Sequence, residues 1–357
     1  MPKKIYFTPG PSQLHYSFEF HLKKAMDESI GSISHRSNAF KKIYQETEAA
    51  LRALFSLPDD FHVLFLSSAT DIWERILQNL VVDASHHFVN GAFSQRFYDF
   101  SQLLGLNSTQ TVASPGEEFA SLDVPADTEL IAVTQNETST GYGFSRDNLK
   151  ALRSAHPDTL VAVDAVSSIP AVPLDFGDLD MTYFSVQKCF GLPAGLGVWI
   201  LNERAITKYH QLASKQQVSG TYRSLGTMLK QAEKHQTPET PNVLFIYLLG
   251  KVATEMLQKG TKSIINDTIY KSSILYQTLE NHPKFTPFVS DPANRSKTVI
   301  VAECEDIQSQ VLSDLEKKGL VLGKGYGAFK EKHIRIANFP AHSKEQIEML
   351  CDLLEKY

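Results

Sequence analysis

The chain has 357 residues, 42% of them apolar and 21% charged, with a formal net charge of −5. That length suits two domains, or one large domain with an appendage, and the composition is that of a soluble globular protein. The mild negative charge offers no basic face for nucleic acid or an anionic membrane, and no apolar run approaches the roughly 20 residues that cross a bilayer.

"MPKKIYFTPGP" at the start has lysines but no apolar stretch behind them, so it does not read as a secretory signal. From Phe61 onward, short apolar runs alternate with longer periodic ones. "FHVLFL" predicts a strand, and "ATDIWERILQNLV" a helix with Ile72, Ile76, Leu77 and Leu80 on one face. "HHFVN" predicts a second strand and "SQRFYDFSQLLG" a helix stopping at Gly105. The strand "ELIAVT", the helix "SRDNLKALRSAH" and the strands "LVAVDAV", "MTYFSV" and "GLGVWIL" follow. Strands apolar on both faces and interleaved with helices indicate a mostly parallel sheet covered on both sides, which binds ligands beyond its carboxyl edge.

At "KHQTPETPN" the regularity breaks. Beyond it the pattern predicts one long helical stretch from Val243 to about Leu279. A smaller α/β unit then reads as strand "KTVIVAE", helix "DIQSQVLSDLEKKG", strand "KHIRIAN" and helix "SKEQIEMLCDLLEKY", the last opened by Ser343 and Gln346 in capping-box spacing. Residues 1–240, with an amino-terminal arm at 1–14, are read as the large domain and 241–357 as the small one. Cys189, Cys304 and Cys351 are odd in number and far apart, against a disulfide framework or a thiolate metal site. Cytoplasmic residence is the expectation.

Lys188 stands alone in the apolar "MTYFSVQKCFGLPAGLGVWI". A buried ammonium loses several kcal/mol of hydration, and a lysine so placed becomes a nucleophile toward carbonyl carbon, the basis of Schiff-base capture of pyridoxal phosphate. Such a site also needs an acid for the ring nitrogen, a phosphate cradle and a surface to stack on. Asp164 ends a strand and suits the first need, or caps a turn. "SSATDIWERI" opens a helix whose N–H groups at Ala69 and Thr70, with the Thr70 hydroxyl, suit a phosphate, or is an ordinary cap by Ser68. Phe93 suits stacking, or core packing. Thr138 in "TQNETSTGYG" suits a phenolic oxygen. The glycines after Lys188 would let the chain pass close to a bound ring.

Taken together and in order, "FTPGPSQL", "SISHRSNAF", "SSAT", "QNET", "VDAVSS", "SVQK", "GLPAGLGVWI", "HQTPETP" and "HIRIANFP" resemble the class V aminotransferases of pyridoxal-phosphate fold type I. Lys188 follows Asp164 by 24 residues, as in that family. The resemblance implies a large domain with a mostly parallel seven-stranded sheet flanked by helices, plus a smaller carboxyl-terminal α/β domain. It implies that Lys188 holds pyridoxal 5'-phosphate and moves the proton, and that Asp164 pairs with the ring nitrogen. Phe93 would stack on the ring, where the family usually has tryptophan. Thr138 would lie by the phenolic oxygen, and Ala69, Thr70 and Gln187 would bind the phosphate. Gln236 and Thr237 would reach the phosphate of a neighbouring subunit, which implies a homodimer with shared sites.

For the substrate, the resemblance implies that Arg335 forks onto the α-carboxylate and that His35 and Arg36 bind a substrate phosphate across the dimer. A second His-Arg pair that the phosphate-handling members carry is missing; "GKGYGAFKEKHIR" has Tyr326 and Gly327 there, with Lys324 and Lys330 as substitutes. Two substrate readings stay open: glutamate with 3-phosphohydroxypyruvate, or serine or alanine with glyoxylate or pyruvate. A cysteine desulfurase would need a loop cysteine that neither Cys189 nor Cys304 supplies. A non-catalytic binding protein would have no use for Lys188, Asp164 and Arg335 together. A dinucleotide-binding dehydrogenase is excluded by the spacing of "GLPAGLG".

Overall fold

The computed structural model describes residues 4–357; residues 1–3 of the expected arm lie outside the described residues. In chain order the strands are β1 (Ile5–Phe7), β2 (Phe61–Leu66), β3 (Ser85–Val89), β4 (Thr109–Val112) and β5 (Leu130–Thr134). The short pair β6 (Asn136–Glu137) and β7 (Tyr142–Gly143) comes next, then β8 (Leu160–Asp164), β9 (Met181–Ser185) and β10 (Gly197–Asn202). β11 (Thr286–Pro287), β12 (Val299–Glu303), β13 (Leu320–Lys324) and β14 (His333–Ala337) complete the set.

Seven strands form the large sheet in the order β2-β10-β9-β8-β5-β3-β4. Only β10 runs antiparallel to its neighbours within it; the β9-β8, β8-β5, β5-β3 and β3-β4 pairings are parallel. The sequence explains why both faces are covered. In "LIAVT" and "LVAVD", Ile131, Val133, Val161 and Val163 point to one core, while Leu130, Ala132, Leu160 and Ala162 point to the other. Each of the valines, leucines and isoleucine contributes about 1.5–3 kcal/mol on burial, and a one-residue slip of register would exchange the two faces at once.

The smaller sheet runs β1-β13-β14-β12-β11. Its core takes Phe7, Leu275, Leu279, Ile300, Ile334, Ile336 and Leu350. The helix Lys344–Leu354 opens with the expected reciprocal cap of Ser343 and Gln346.

Several features depart from the sequence reading. The single long helix expected from Val243 is two, Val243–Lys259 and Thr261–Glu280, broken at Gly260 with φ +87°. The first of them buries Val243, Ile246, Leu249 and Val252 in a core of the large sheet, although it lies past the expected boundary at 240. Conversely, Ile5–Phe7 of the expected arm pairs with Leu320–Leu322 in the small sheet. The two cores thus exchange segments. β4, at the sheet edge, and β13 were unread: "TQTV" is largely exposed and shows no apolar alternation. No helix of the described residues is long and apolar enough to cross a membrane.

Candidate active site

Three parallel strands end side by side. The register sets Thr134 at the end of β5 opposite Asp164 at the end of β8, and Asp164 opposite Tyr183 of β9. The segments leaving these ends carry Thr138, Ser167 and Lys188, at the edge where an open α/β sheet binds its ligand.

The Lys188 side chain is buried, and its Nζ donates to Thr138 Oγ1 at 3.0 Å. It lies 5.0 Å from the centre of the Phe93 ring. Burial pushes the ammonium down to about 8, against the pull of Asp164. Asp164 is also buried; its Oδ1 accepts from Val166 N at 2.9 Å and its Oδ2 from Trp73 Nε1 at 3.3 Å. Burial lifts its carboxyl to about 6, opposed by the Val166 N–H and by Lys188. Among the described residues the two make no direct ion pair.

The glycine that allows close passage is not one of those after the lysine. A Cβ at Gly191 would meet His15 N at 2.6 Å, and one at Gly197 would meet the Ser68 backbone at 2.5 Å. Those glycines seat the arm and the 67–69 turn. Gly10 faces the lysine: at φ +143°, a Cβ there would lie 2.9 Å from Lys188 Cε. The arm is tied down around it by Ser12 N to Gln187 O at 3.2 Å and His15 N to Gly191 O at 2.7 Å.

Thr138 is the hub. Its hydroxyl meets Ser167 Oγ at 2.8 Å as well as Lys188, and its carbonyl accepts from Arg335 Nη1 at 3.3 Å. Arg335 is further fixed by Nε donating to Lys324 O at 2.7 Å. Its guanidinium lies 5.3 Å from the Tyr326 ring, which in turn lies 5.5 Å from Phe93. Lys188, Asp164, Thr138, Phe93 and Arg335 therefore come from five separate segments into one site.

Ala69 and Thr70 open the helix Ala69–Leu80. The plain cap is present, with Ser68 Oγ accepting from Asp71 N at 3.1 Å. Ala69 N donates to Ser185 Oγ at 2.8 Å, so that amide is already taken, a correction to its reading as a free phosphate donor. Gln187, half-buried, precedes Lys188. A second cluster is joined to itself, not to Lys188, by the hydrogen bonds of the described residues. Exposed Arg36 donates to Gln236 Oε1 at 2.7 Å, Gln231 Oε1 at 3.2 Å and Pro238 O at 3.3 Å, with His35 beside it. Thr237 is buried, its hydroxyl donating to Glu239 O at 2.6 Å.

Two residues that shape the site were missed. Glu137 is fully buried and takes hydrogen bonds from Phe93 N, Ser94 N, Ser94 Oγ, Ser139 N and Ser139 Oγ at 2.6–3.3 Å. Its carboxylate thus caps the helix Ala92–Leu103 that carries Phe93, where negative charge is favoured. The signal was present: Glu137 is the one charged residue in "LIAVTQNETSTGYG". Trp73 was read as neither core nor site, yet its indole orients Asp164.

A lysine ammonium has three donors, and here the structure gives it one acceptor beside an aromatic face. Near it lies a buried carboxyl that burial holds high despite the pull of Lys188. Those residues fit a group that brings an aldehyde to Lys188 and a cationic ring nitrogen to Asp164.

Comparison with known proteins agrees. The Aminotransferase class-V family model matches residues 109–347. A solved phosphoserine aminotransferase from Cytophaga hutchinsonii is 46% identical, with a TM-score of 0.98, covering 100% of this chain and 99% of that one. The phosphoserine aminotransferase of Rhodococcus opacus (strain B4) is 28% identical across 99% of this chain and 95% of its own length. A PLP-bound phosphoserine aminotransferase from Trichomonas vaginalis, 18% identical, shares the fold at a TM-score of 0.81, covering 99% of this chain and 100% of that one.

Proposed function

This chain belongs to the class-V aminotransferase family and is a pyridoxal-phosphate-dependent aminotransferase, and on that premise we propose that it exchanges the amino group between glutamate and 3-phosphohydroxypyruvate, giving 2-oxoglutarate and O-phosphoserine. The observation that carries the choice of substrate is the 46% identity, over the whole chain, to a phosphoserine aminotransferase.

Pyridoxal phosphate, when bound, supplies the electron sink into which the electrons of the substrate's Cα–H bond are drawn. The chain's own groups do the rest. Lys188 Nζ, held by Thr138 Oγ1, takes the Cα proton; a pKa near 8 leaves a useful neutral fraction at physiological pH. Asp164 stays ionised against the ring nitrogen, since a cation there offsets the burial that lifts its carboxyl. Arg335, anchored at Thr138 O and Lys324 O, presents its remaining donors to the α-carboxylate. Phe93 covers one face of the ring, and Thr70 and Gln187 hold the phosphate.

The Arg36 and Gln236 cluster acts in a homodimer. Gln236 and Thr237 complete the cofactor-phosphate site of the second copy, and His35 and Arg36 take the substrate phosphate there. Support comes from Arg36 being exposed yet tied by hydrogen bonds to the 236–238 segment, so one cluster of two segments would deliver both functions. In this reading residues 1–240 hold the cofactor, 241–357 supply Arg335, and the enzyme works in the cytoplasm.

Half-reactions of the cofactor-loaded protein with O-phosphoserine, serine and alanine test the proposal. Rapid conversion by O-phosphoserine, lost in Arg36→Ala, is expected. Conversion by serine or alanine alone would support the unphosphorylated alternative, which draws on Tyr326 standing where a His-Arg pair is expected.

A further inference from the structure

Tyr326 lines the site between Phe93 and Arg335. Its ring bridges the two groups between which a substrate must lie: the Arg335 guanidinium at 5.3 Å and the Phe93 ring at 5.5 Å with the planes at 42°. It is 40% exposed, and its hydroxyl has no hydrogen-bond partner among the described residues. The backbone holds it in place, with Phe329 N donating to Tyr326 O at 3.0 Å and Gly325 N to His333 O at 2.7 Å. Of the two lysines that flank it, Lys324 has its Nζ on both oxygens of exposed Glu331, at 3.4 and 3.2 Å. Against the Tyr326 ring itself stand one guanidinium and one aromatic face, and its hydroxyl adds a neutral O–H donor.

We propose that Tyr326 is a specificity-determining residue: its ring backs the Arg335 guanidinium, and its hydroxyl donates to the oxygen-bearing group on the substrate's Cβ. The proposal rests on the reading of Arg335 as the α-carboxylate fork. With the carboxylate on Arg335 and Cα over the ring that Phe93 covers, the bond from Cα to Cβ leaves past Tyr326, which lies against both. A phosphate ester satisfies the hydroxyl, and a methyl group leaves it unpaired, which disfavours alanine without a charged group directed at Cβ.

The test uses cofactor-loaded protein and two hydroxy acids that lack the amino group and so cannot react, 3-phosphoglycerate and lactate, with binding measured by calorimetry. Tyr326→Phe is expected to weaken 3-phosphoglycerate by about three- to tenfold, the worth of one hydrogen bond, and to leave lactate within about twofold. Tyr326→Leu is expected to weaken both, because the ring behind the guanidinium is also lost. Unchanged or equal losses in Tyr326→Phe, with an unchanged melting temperature, would overturn the proposal. Arg335→Gln tests the underlying reading separately: if lactate and 3-phosphoglycerate bind it as well as they bind the wild type, the carboxylate assignment fails whatever Tyr326 does. A wild type that binds neither acid rejects both.

Discussion

Thr138 and Arg335 are joined at 3.3 Å, guanidinium to backbone carbonyl, while the hydroxyl of the same threonine holds the lysine ammonium at 3.0 Å. One residue thus registers the group that moves a proton against the group that orients the substrate. Thr138→Val keeps the backbone contact and removes the hydroxyl. It is expected to lower the Lys188 pKa below its present value near 8, since an acceptor for the charged form is gone. The half-reaction rate should fall about tenfold or more, with Thr138→Ser near wild type. Stopped-flow absorbance across pH separates the two effects.

Cofactor capture by the apoprotein reports the lysine directly. Only the neutral amine attacks an aldehyde, so the rate of pyridoxal phosphate uptake should rise about tenfold per pH unit below 8 and level above it. A rate still climbing at pH 10 would mean an unshifted lysine.

The same burial is a stability statement. The folded pKa of Lys188 lies below the ordinary 10.5, so between about 8 and 10.5 the unfolded apoprotein binds more protons. Apoprotein stability should therefore rise with pH across that window. Lys188→Met should remove this dependence and stabilise the apoprotein at pH 7 by up to about 3 kcal/mol. Asp164 gives the mirror case: its folded pKa near 6 exceeds 3.8, so its contribution is full below 3.8 and lost as pH rises through 6. Asp164→Asn should flatten that slope in urea titrations while weakening cofactor binding.

Glu137 should behave as a positioning residue. Glu137→Ala strands two backbone N–H groups at the start of the Phe93 helix and the Ser139 N–H and hydroxyl. A loss of about 2–4 kcal/mol in urea unfolding is expected, with Glu137→Gln milder because an amide still offers one acceptor. The visible band of the bound cofactor should shift in both as Phe93 moves.

Much of this was readable before the fold was known, for reasons that differ by residue. The strands under the site are apolar on both faces, a pattern only a covered parallel sheet requires, so "LIAVT", "LVAVD" and "MTYFS" identified themselves. Lys188 and Asp164 stood out because each is a charge within an apolar run. Glu137 and Trp73 hid because their roles lie in partners distant in sequence: a helix start 44 residues earlier and a carboxylate 91 residues later. The break at Gly260 was missed because apolar periodicity resumes at Ile264 on the far side. The glycines after Lys188 were misread because sequence reports where a Cβ is lacking, not what presses against the gap.

The pairing of β1 with β13 has a consequence for how the chain is made. Ile5 sits beside Leu320, so the first strand to leave the ribosome waits for almost the last to arrive. Until then the arm is held beside the lysine only from its inner side, by Ser12 N to Gln187 O and His15 N to Gly191 O, although every strand of the large sheet has already been synthesised. At translation rates of about 5–20 residues per second, that interval is on the order of tens of seconds. A chain truncated before residue 320 would thus leave the outer end of the arm, Ile5–Phe7, without its strand partner. Pyridoxal phosphate bound during that interval would meet a site whose arm is secured at one end alone.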